Sequence, residues 1–287
     1  MLTILVTGSN GQVGCELKSL HRKNQEYNWV FADKSNLDIS DKSNIEVFVV
    51  KYSIGIIINC AAFTNVELAE DNFELSNLVN NLGVENLSLI SKKYKIKLIH
   101  LSTDSVFGGD IKMPYKEDSA FDPLNIYSKT KLAGERQLIS INPQNSIILR
   151  TSWVYSEYGS NFLKTMLRKL STEDQIGVVC DQIGTPTYAK DLAEVIIKIL
   201  SQIDNRNVEI YHYSNEGHAS WYDFAVEINS IVKTRCKIKK IKTCEYPSRV
   251  QRPSYSVLNK GKIVKKFNID IPVWKTSLQR CLRKMGF

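Results

Sequence analysis

Tyr127 and Lys131 stand four residues apart in Tyr127-Ser128-Lys129-Thr130-Lys131, and of the 13 tyrosines only this one has a lysine at that spacing. In a helix both side chains leave one face, one turn apart. A phenol beside a fixed ammonium is a proton donor for a forming alkoxide. Tyrosine titrates near ~10, so bringing it to neutrality takes roughly 4 kcal/mol of differential stabilisation of the phenolate. A neighbouring cation in a partly dehydrated pocket supplies much of that. Upstream, Ser102-Thr103-Asp104-Ser105-Val106-Phe107-Gly108-Gly109 carries hydroxyls able to polarise a carbonyl, and reads equally as a Ser/Thr turn.

The elements that must position these groups alternate. Leu2 to Thr7 is a short β-branched run, a buried strand. Gly8-Ser9-Asn10-Gly11-Gln12-Val13-Gly14 follows and opens a helical pattern running to Leu20. Glycines there let the backbone turn and approach a pyrophosphate on the helix N-terminus. Gly8, Asn10, Gly11, Gln12 and Val13 are therefore assigned to a dinucleotide. Trp29 to Ala32 is the second strand, ending at Asp33, an acid placed for ribose hydroxyls and NADH; the adjacent Lys34 suits a 2′-phosphate, so NADH and NADPH both stay open. Asp38 and Ile39 lie where the adenine edge is expected, with Asp38 or Ser40 also read as a cap on a helix over 41–51.

Ile54 to Cys60 is continuously apolar, as a strand covered on both faces should be. Ala61 and Ala62 are small enough for a cofactor to lie close. Thr64 to Glu67 begins a loop at the carboxyl end of the sheet, where open α/β folds bind ligands. One long helix is expected over 74–94, carrying Asn80 toward the cofactor. Ile96 to Leu101 is the fourth strand and Ser146 to Arg150 the fifth. Between them, Asp122 as cap and Pro123 in the first turn start the helix that bears Tyr127 and Lys131. This order predicts a Rossmann-type doubly wound parallel sheet, an α/β fold.

After residue 151 the alternation weakens. Helices are expected over 161–170, 191–203, 220–233 and 274–285, with strands at 178–186 and 208–213. The reading gives a dinucleotide-binding domain of 1–151 plus about 188–213 and a smaller α/β substrate-binding lobe of about 152–187 and 214–258. A C-terminal segment and helix, 259–287, completes the chain.

Composition bounds the function class. The 287 residues, 43% hydrophobic and 24% charged, are ordinary globular values. No apolar run approaches a membrane span, and the first residues lack a signal-peptide pattern, so no membrane is expected. The six cysteines have no C-x-x-C pairing, which points to a reducing, cytoplasmic setting and to no metal site. The net charge of +8 gathers partly in the last third without any nucleic-acid module, so no nucleic acid is expected; an anionic nucleotide substrate fits.

Thr7-Gly8-x-x-Gly11-x-x-Gly14, the Ser102-Thr103 strand end and Tyr127-x-x-x-Lys131 together resemble the extended short-chain dehydrogenase/reductases. Finer motifs are similar to one branch, the dTDP-4-dehydrorhamnose reductases: Arg150-Thr151-Ser152-Trp153, Asp181-Gln182-x-Gly184-Thr185-Pro186, Ser220-Trp221-Tyr222-Asp223 and Arg252-Pro253-x-Tyr255-Ser256. The resemblance runs from residue 2 to about 282. It implies a catalytic trio of Thr103, Tyr127 and Lys131, with Lys131 depressing the Tyr127 pKa. It also implies NADPH or NADH as cofactor and a dTDP-sugar substrate met by Thr64, Val66, Thr103, Ser105, Trp153 and Arg252.

Two departures stand out. Ser105 occupies the place of a tyrosine usual in the branch, and Ser128 that of a glycine. Some members bind Mg2+ through acidic residues at a dimer contact; Glu16 falls at one such position but Lys190 at another. No bridging metal is therefore expected, and the chain is read as a monomer or weak homodimer. Other nucleotide-sugar epimerases or dehydratases of the superfamily remain an alternative, as does a non-catalytic NADP-binding regulatory subunit.

Overall fold

The β-branched runs pair into one parallel sheet, and the helices between them cover both of its faces. The computed structural model describes residues 1–287. Its first half runs β1 (Leu2–Thr7), α1 (Gln12–Leu20), β2 (Tyr27–Ala32), α2 (Lys42–Lys51), β3 (Ile54–Asn59), α3 (Val66–Asp71), α4 (Phe73–Asn77), α5 (Gly83–Tyr94), β4 (Lys97–Thr103), α6 (Ile126–Ile141) and β5 (Ile147–Thr151). The second half adds β6 (Val154–Tyr155), α7 (Phe162–Thr172), β7 (Gln175–Val179), β8 (Ile183–Gly184), β9 (Thr187–Tyr188), α8 (Ala189–Ile199) and β10 (Glu209–His212). It closes with β11 (Ala219–Ser220), α9 (Trp221–Val232), β12 (Lys237–Ile241), α10 (Gly261–Phe267) and α11 (Trp274–Lys284).

The six-stranded sheet has the order β10-β5-β4-β3-β1-β2, every pair parallel. Strand order reverses between β1 and β3, and the crevice beyond their carboxyl ends is the site such a sheet offers a ligand. Alternation along the strands splits the core by face: Ile4, Val6, Ile56 and Ile58 pack toward α1 and α8, while Leu5, Ile57 and Leu98 pack toward α2 and α5. A separate apolar cluster joins Tyr155, Leu163, Ile176, Phe224, Trp274 and Leu278, so α11 packs with the second-half elements instead of standing apart. No helix is long and apolar enough to cross a membrane.

Several local expectations are corrected. The helix over 74–94 is broken: α4 and α5 flank a wide π turn at 78–82. The expected loop at Thr64 to Glu67 is the start of α3, capped by Asn65, whose Oδ1 accepts from the Leu68 N–H at 3.0 Å. Helix α2 is capped by Asp41, not by Asp38 or Ser40; the Asp38 carboxylate closes a local turn on Ser40. Helix α6 begins at Ile126 under Asn125, whose Oδ1 takes the Ser128 N–H at 2.9 Å, and Asp122 lies outside the helix, exposed. The cap moves because Asn125 sits one residue before the first helical turn and Asp122 four. α10 was not anticipated.

Glu16 is fully buried against Glu157 and Lys284, and burial followed by the Glu157 contact lifts its carboxyl to about 7.

One buried ion pair ties α6 to the sheet. Arg150 on β5 meets Glu135 on α6, with Nη2 to Oε2 at 2.6 Å and both side chains fully buried. Ser102 on β4 also donates to Glu135, Arg150 Nη1 donates to the Glu117 carbonyl at 3.2 Å, and Phe107 and Phe121 cover the guanidinium. A pair satisfied on this many sides tolerates burial, whereas one partner alone does not. Glu135→Ala is expected to destabilise the protein by about 3–5 kcal/mol, read from urea unfolding; a loss under about 1 kcal/mol would show that the pair is solvated.

Candidate active site

The carboxyl ends of β1, β3, β4 and β5 open into a cleft of about 960 Å³. Its first wall is the β1–α1 turn. Gly8 has φ +62°, and a Cβ there would lie 2.6 Å from the Ala61 backbone nitrogen, so only glycine lets the two strand ends meet. The Gly11 backbone, at the N-cap of α1, has no side-chain partner, which leaves the helix N-terminus facing the cleft. Gly8, Asn10, Gly11, Gln12, Val13, Asp33, Asp38, Ile39, Ala61, Ala62 and Thr64 all line this space, as do Tyr127 and Lys131.

These residues fit a dinucleotide. Asn10 Nδ2 donates to Asp33 Oδ2 at 2.5 Å, and the Ser35 hydroxyl and N–H hold Oδ1. Those bonds keep the Asp33 carboxyl below its usual range. Gln12 reaches the second half, donating to the Val154 carbonyl at 3.1 Å and accepting from Asn161 at 2.8 Å. The sequence did not single out Asn161 or its neighbours Gly159 and Ser160, which close the far side of the cleft.

Asn80 is a correction. It is buried, and its amide is spent on the Phe63 backbone, accepting from N–H at 2.9 Å and donating to the carbonyl at 3.0 Å. It thus shapes the segment after β3 that lines the cleft without lining the cleft itself. The π turn explains this, since it rotates Asn80 toward Phe63 and Thr130.

At the floor, the side chains of Thr103, Asp104, Tyr127 and Trp153 belong both to this cleft and to an adjoining cavity of about 180 Å³. Val66, Ser105 and Arg252 line the smaller cavity, together with Asn125, Gln182 and Trp221. Ser105 Oγ and Ser128 Oγ are 2.5 Å apart, so the two residues that depart from the branch pattern contact each other. Arg252 reaches Glu67 at 3.6 Å and stays half-exposed at the mouth.

Trp153 has φ +45°, a strained conformation for a bulky residue. Two contacts hold it: its ring stacks on Trp221 with centroids 3.5 Å apart, and it lies over Gly184, where a Cβ would come within 2.4 Å of the indole. Trp221 is oriented in turn by Gln182, which accepts its indole N–H at 3.1 Å.

Burial sets the protonation states. It pushes Tyr127 up to about 12, with Thr103 opposing and Asp104 adding to the shift. It brings Lys131 down to about 8, against Glu135 and Cys60. Asp104 is lifted to about 6 by burial, with Ser256 and Thr103 opposing. The lowering of the Tyr127 pKa expected from Lys131 is not seen: burial dominates and raises it, while Lys131 Nζ donates to the Leu101 carbonyl at 2.7 Å. The phenol is consequently protonated at neutral pH, the state a proton donor needs.

The chain resembles known proteins over nearly its whole length. A family model described as RmlD substrate binding domain covers residues 2–287. The chain is 38% identical over 288 residues to a dTDP-4-dehydrorhamnose reductase of Aggregatibacter actinomycetemcomitans, covering 97% of this chain and 98% of that one. It is equally 38% identical over 284 residues to the spore coat polysaccharide biosynthesis protein SpsK of Bacillus subtilis, covering 99% and 98%. A crystal structure of a dTDP-4-dehydrorhamnose reductase from Bacillus anthracis in complex with NADP superposes with a TM-score of 0.93 at 35% identity, covering 99% of this chain and 100% of that one.

Asp33 gives a direct test of cofactor choice. A carboxylate facing a 2′-phosphate is repulsive, so Asp33→Ala is expected to raise the ratio of kcat/KM for NADPH over NADH by about tenfold. An unchanged ratio would place the adenosine ribose elsewhere.

Proposed function

This chain belongs to the RmlD substrate binding domain family, and from that premise we propose that it reduces dTDP-4-dehydro-L-rhamnose to dTDP-L-rhamnose with NAD(P)H. The observation that carries the reading is the shared floor. Tyr127 and Thr103 stand where a cleft sized for a dinucleotide meets a smaller polar cavity sized for a sugar. When bound, the reduced nicotinamide supplies a hydride to the sugar C4. Thr103 donates a hydrogen bond to the carbonyl oxygen and polarises it. Tyr127, protonated at neutral pH, gives that oxygen its proton as the C4–O bond becomes single. Lys131 lines the same cleft and is proposed to hold the nicotinamide ribose.

Substrate contacts follow from the second cavity. Trp153, stiffened by its stack on Trp221, forms an apolar plate for the sugar ring. Val66 and Ser105 flank the ring, Thr64 stands at the junction with the cofactor, and Arg252 presents a guanidinium to the diphosphate. The substrate-binding lobe is proposed as about 152–187 and 214–258, beside the dinucleotide-binding residues 1–151 and about 188–213. An apolar cluster distinct from the two on the sheet joins α7, β7 and α9 with α11, which supports a separate lobe that also takes in the C-terminal helix.

Tyr127→Phe is expected to lower kcat by about 10²–10⁴-fold while cofactor affinity is unchanged, measured as NAD(P)H oxidation and cofactor titration. Full turnover in that variant would remove the phenol from the mechanism. Supplying the GDP and UDP counterparts of the keto sugar tests the nucleotide, with oxidation expected for the dTDP form. In sedimentation the protein is expected to run as a monomer or weak homodimer with or without chelator; a dimer lost on chelation would overturn this.

A further inference from the structure

Beneath Lys131 lies a buried chain of hydrogen bonds that has a fixed direction. Thr7 Oγ1 and Asn59 Oδ1 are 2.6 Å apart, and the Ala61 backbone N–H donates to the same Oδ1 at 3.2 Å. A backbone N–H only donates, so this side of the Asn59 amide is its oxygen. The amide nitrogen therefore faces the other way, toward His100 Nδ1 at 3.0 Å, and donates to it. With Nδ1 accepting, the ring proton of a neutral His100 sits on Nε2. Burial holds the ring neutral by driving its pKa well below the ordinary value.

Nε2 lies 3.4 Å from Lys131 Nζ. Lys131 already donates to the Leu101 carbonyl at 2.7 Å. An N–H aimed at Nζ finds a lone pair on an amine and none on an ammonium. The other groups around Nζ are few. Glu135, on the same helix, favours the ammonium but is engaged by Arg150 and Ser102. Cys60, beyond β3, is pushed up to about 12 by burial and is a neutral thiol. Tyr127, one turn back, is a neutral phenol.

We propose that His100 is a positioning residue for the reaction: locked by Asn59 with its proton on Nε2, it offers Lys131 a donor and favours the amine over the ammonium. This rests on Lys131 serving the reduction as proposed above. The consequence is an alkaline limit set from beneath the site. Lys131 is charged below its pKa and loses the charge as pH rises through it, so kcat/KM falls there. Without the Nε2 donor, that limb should lie higher.

The test separates this proposal from the functional one. In the wild-type protein, the ¹⁵N resonances of His100 report its tautomer whether or not the enzyme turns over; a proton on Nε2 is expected, and one on Nδ1 overturns the proposal. Asn59→Asp replaces the amide donor with an acceptor, so the ring proton should move to Nδ1 and Nε2 should accept from an ammonium. The alkaline limb of kcat/KM should then rise by about 1 pH unit, the scale of one hydrogen bond held by one protonation state. A new carboxylate also acts through space, so the same substitution is made in His100→Phe. The rise should be smaller in that background, and an equal rise in both would overturn the proposal.

Discussion

Helix α6 drives two ionisable side chains, Lys131 and Glu135, into the interior, and the site depends on both being satisfied there. Glu135 is answered by Arg150 and Ser102, which pin the helix to the ends of β4 and β5. Lys131 is answered by the Leu101 carbonyl, on the strand that also places His100 beneath it. The same contacts that make burial tolerable also fix the helix phase, and with it the direction of the Tyr127 phenol. Removing either answer would leave a charge in a low-dielectric region, so positional precision and stability share one origin.

The rest of the site is arranged around that fixed helix. Gly8 lets β1 and β3 converge so that a cofactor-sized cleft ends at the phenol. Trp153, held in a strained conformation by Trp221 and Gly184, walls the opposite side. The strain is offset by stacking and close packing, which a floppy loop would not provide. Asn125 caps α6 through Ser128 and donates to the Gln251 carbonyl at 3.0 Å, linking the helix start to the segment that bears Arg252.

Much of this was legible in the sequence, because the strongest signals are local. A glycine turn after a β-branched run, and a tyrosine and lysine one helical turn apart, carry their geometry in their spacing. The parallel sheet followed from strand and helix alternation. What was not legible depends on tertiary contact. Asn125 and Asp122 are both good caps, and only packing chooses between them. Asn80 looked available until the π turn rotated it onto Phe63. His100 was hidden inside an apolar strand, with nothing nearby in sequence to mark its partners Asn59 and Lys131. Arg150 was read as part of a motif, whereas its buried pairing with Glu135 appears only once β5 and α6 meet.

Tyr127 is proposed to give its proton to the oxygen of a C4 carbonyl on a dTDP-linked 6-deoxy sugar, while the hydride that a bound reduced nicotinamide would supply goes to the carbon. The decisive measurement incubates the purified chain with dTDP-4-dehydro-L-rhamnose and NADPH deuterated at the transferable position. Mass spectrometry and NMR should find dTDP-L-rhamnose with deuterium at C4 and nowhere else. A product without deuterium at C4, or a keto sugar recovered unchanged alongside intact cofactor, would rule out hydride transfer to C4 by this chain.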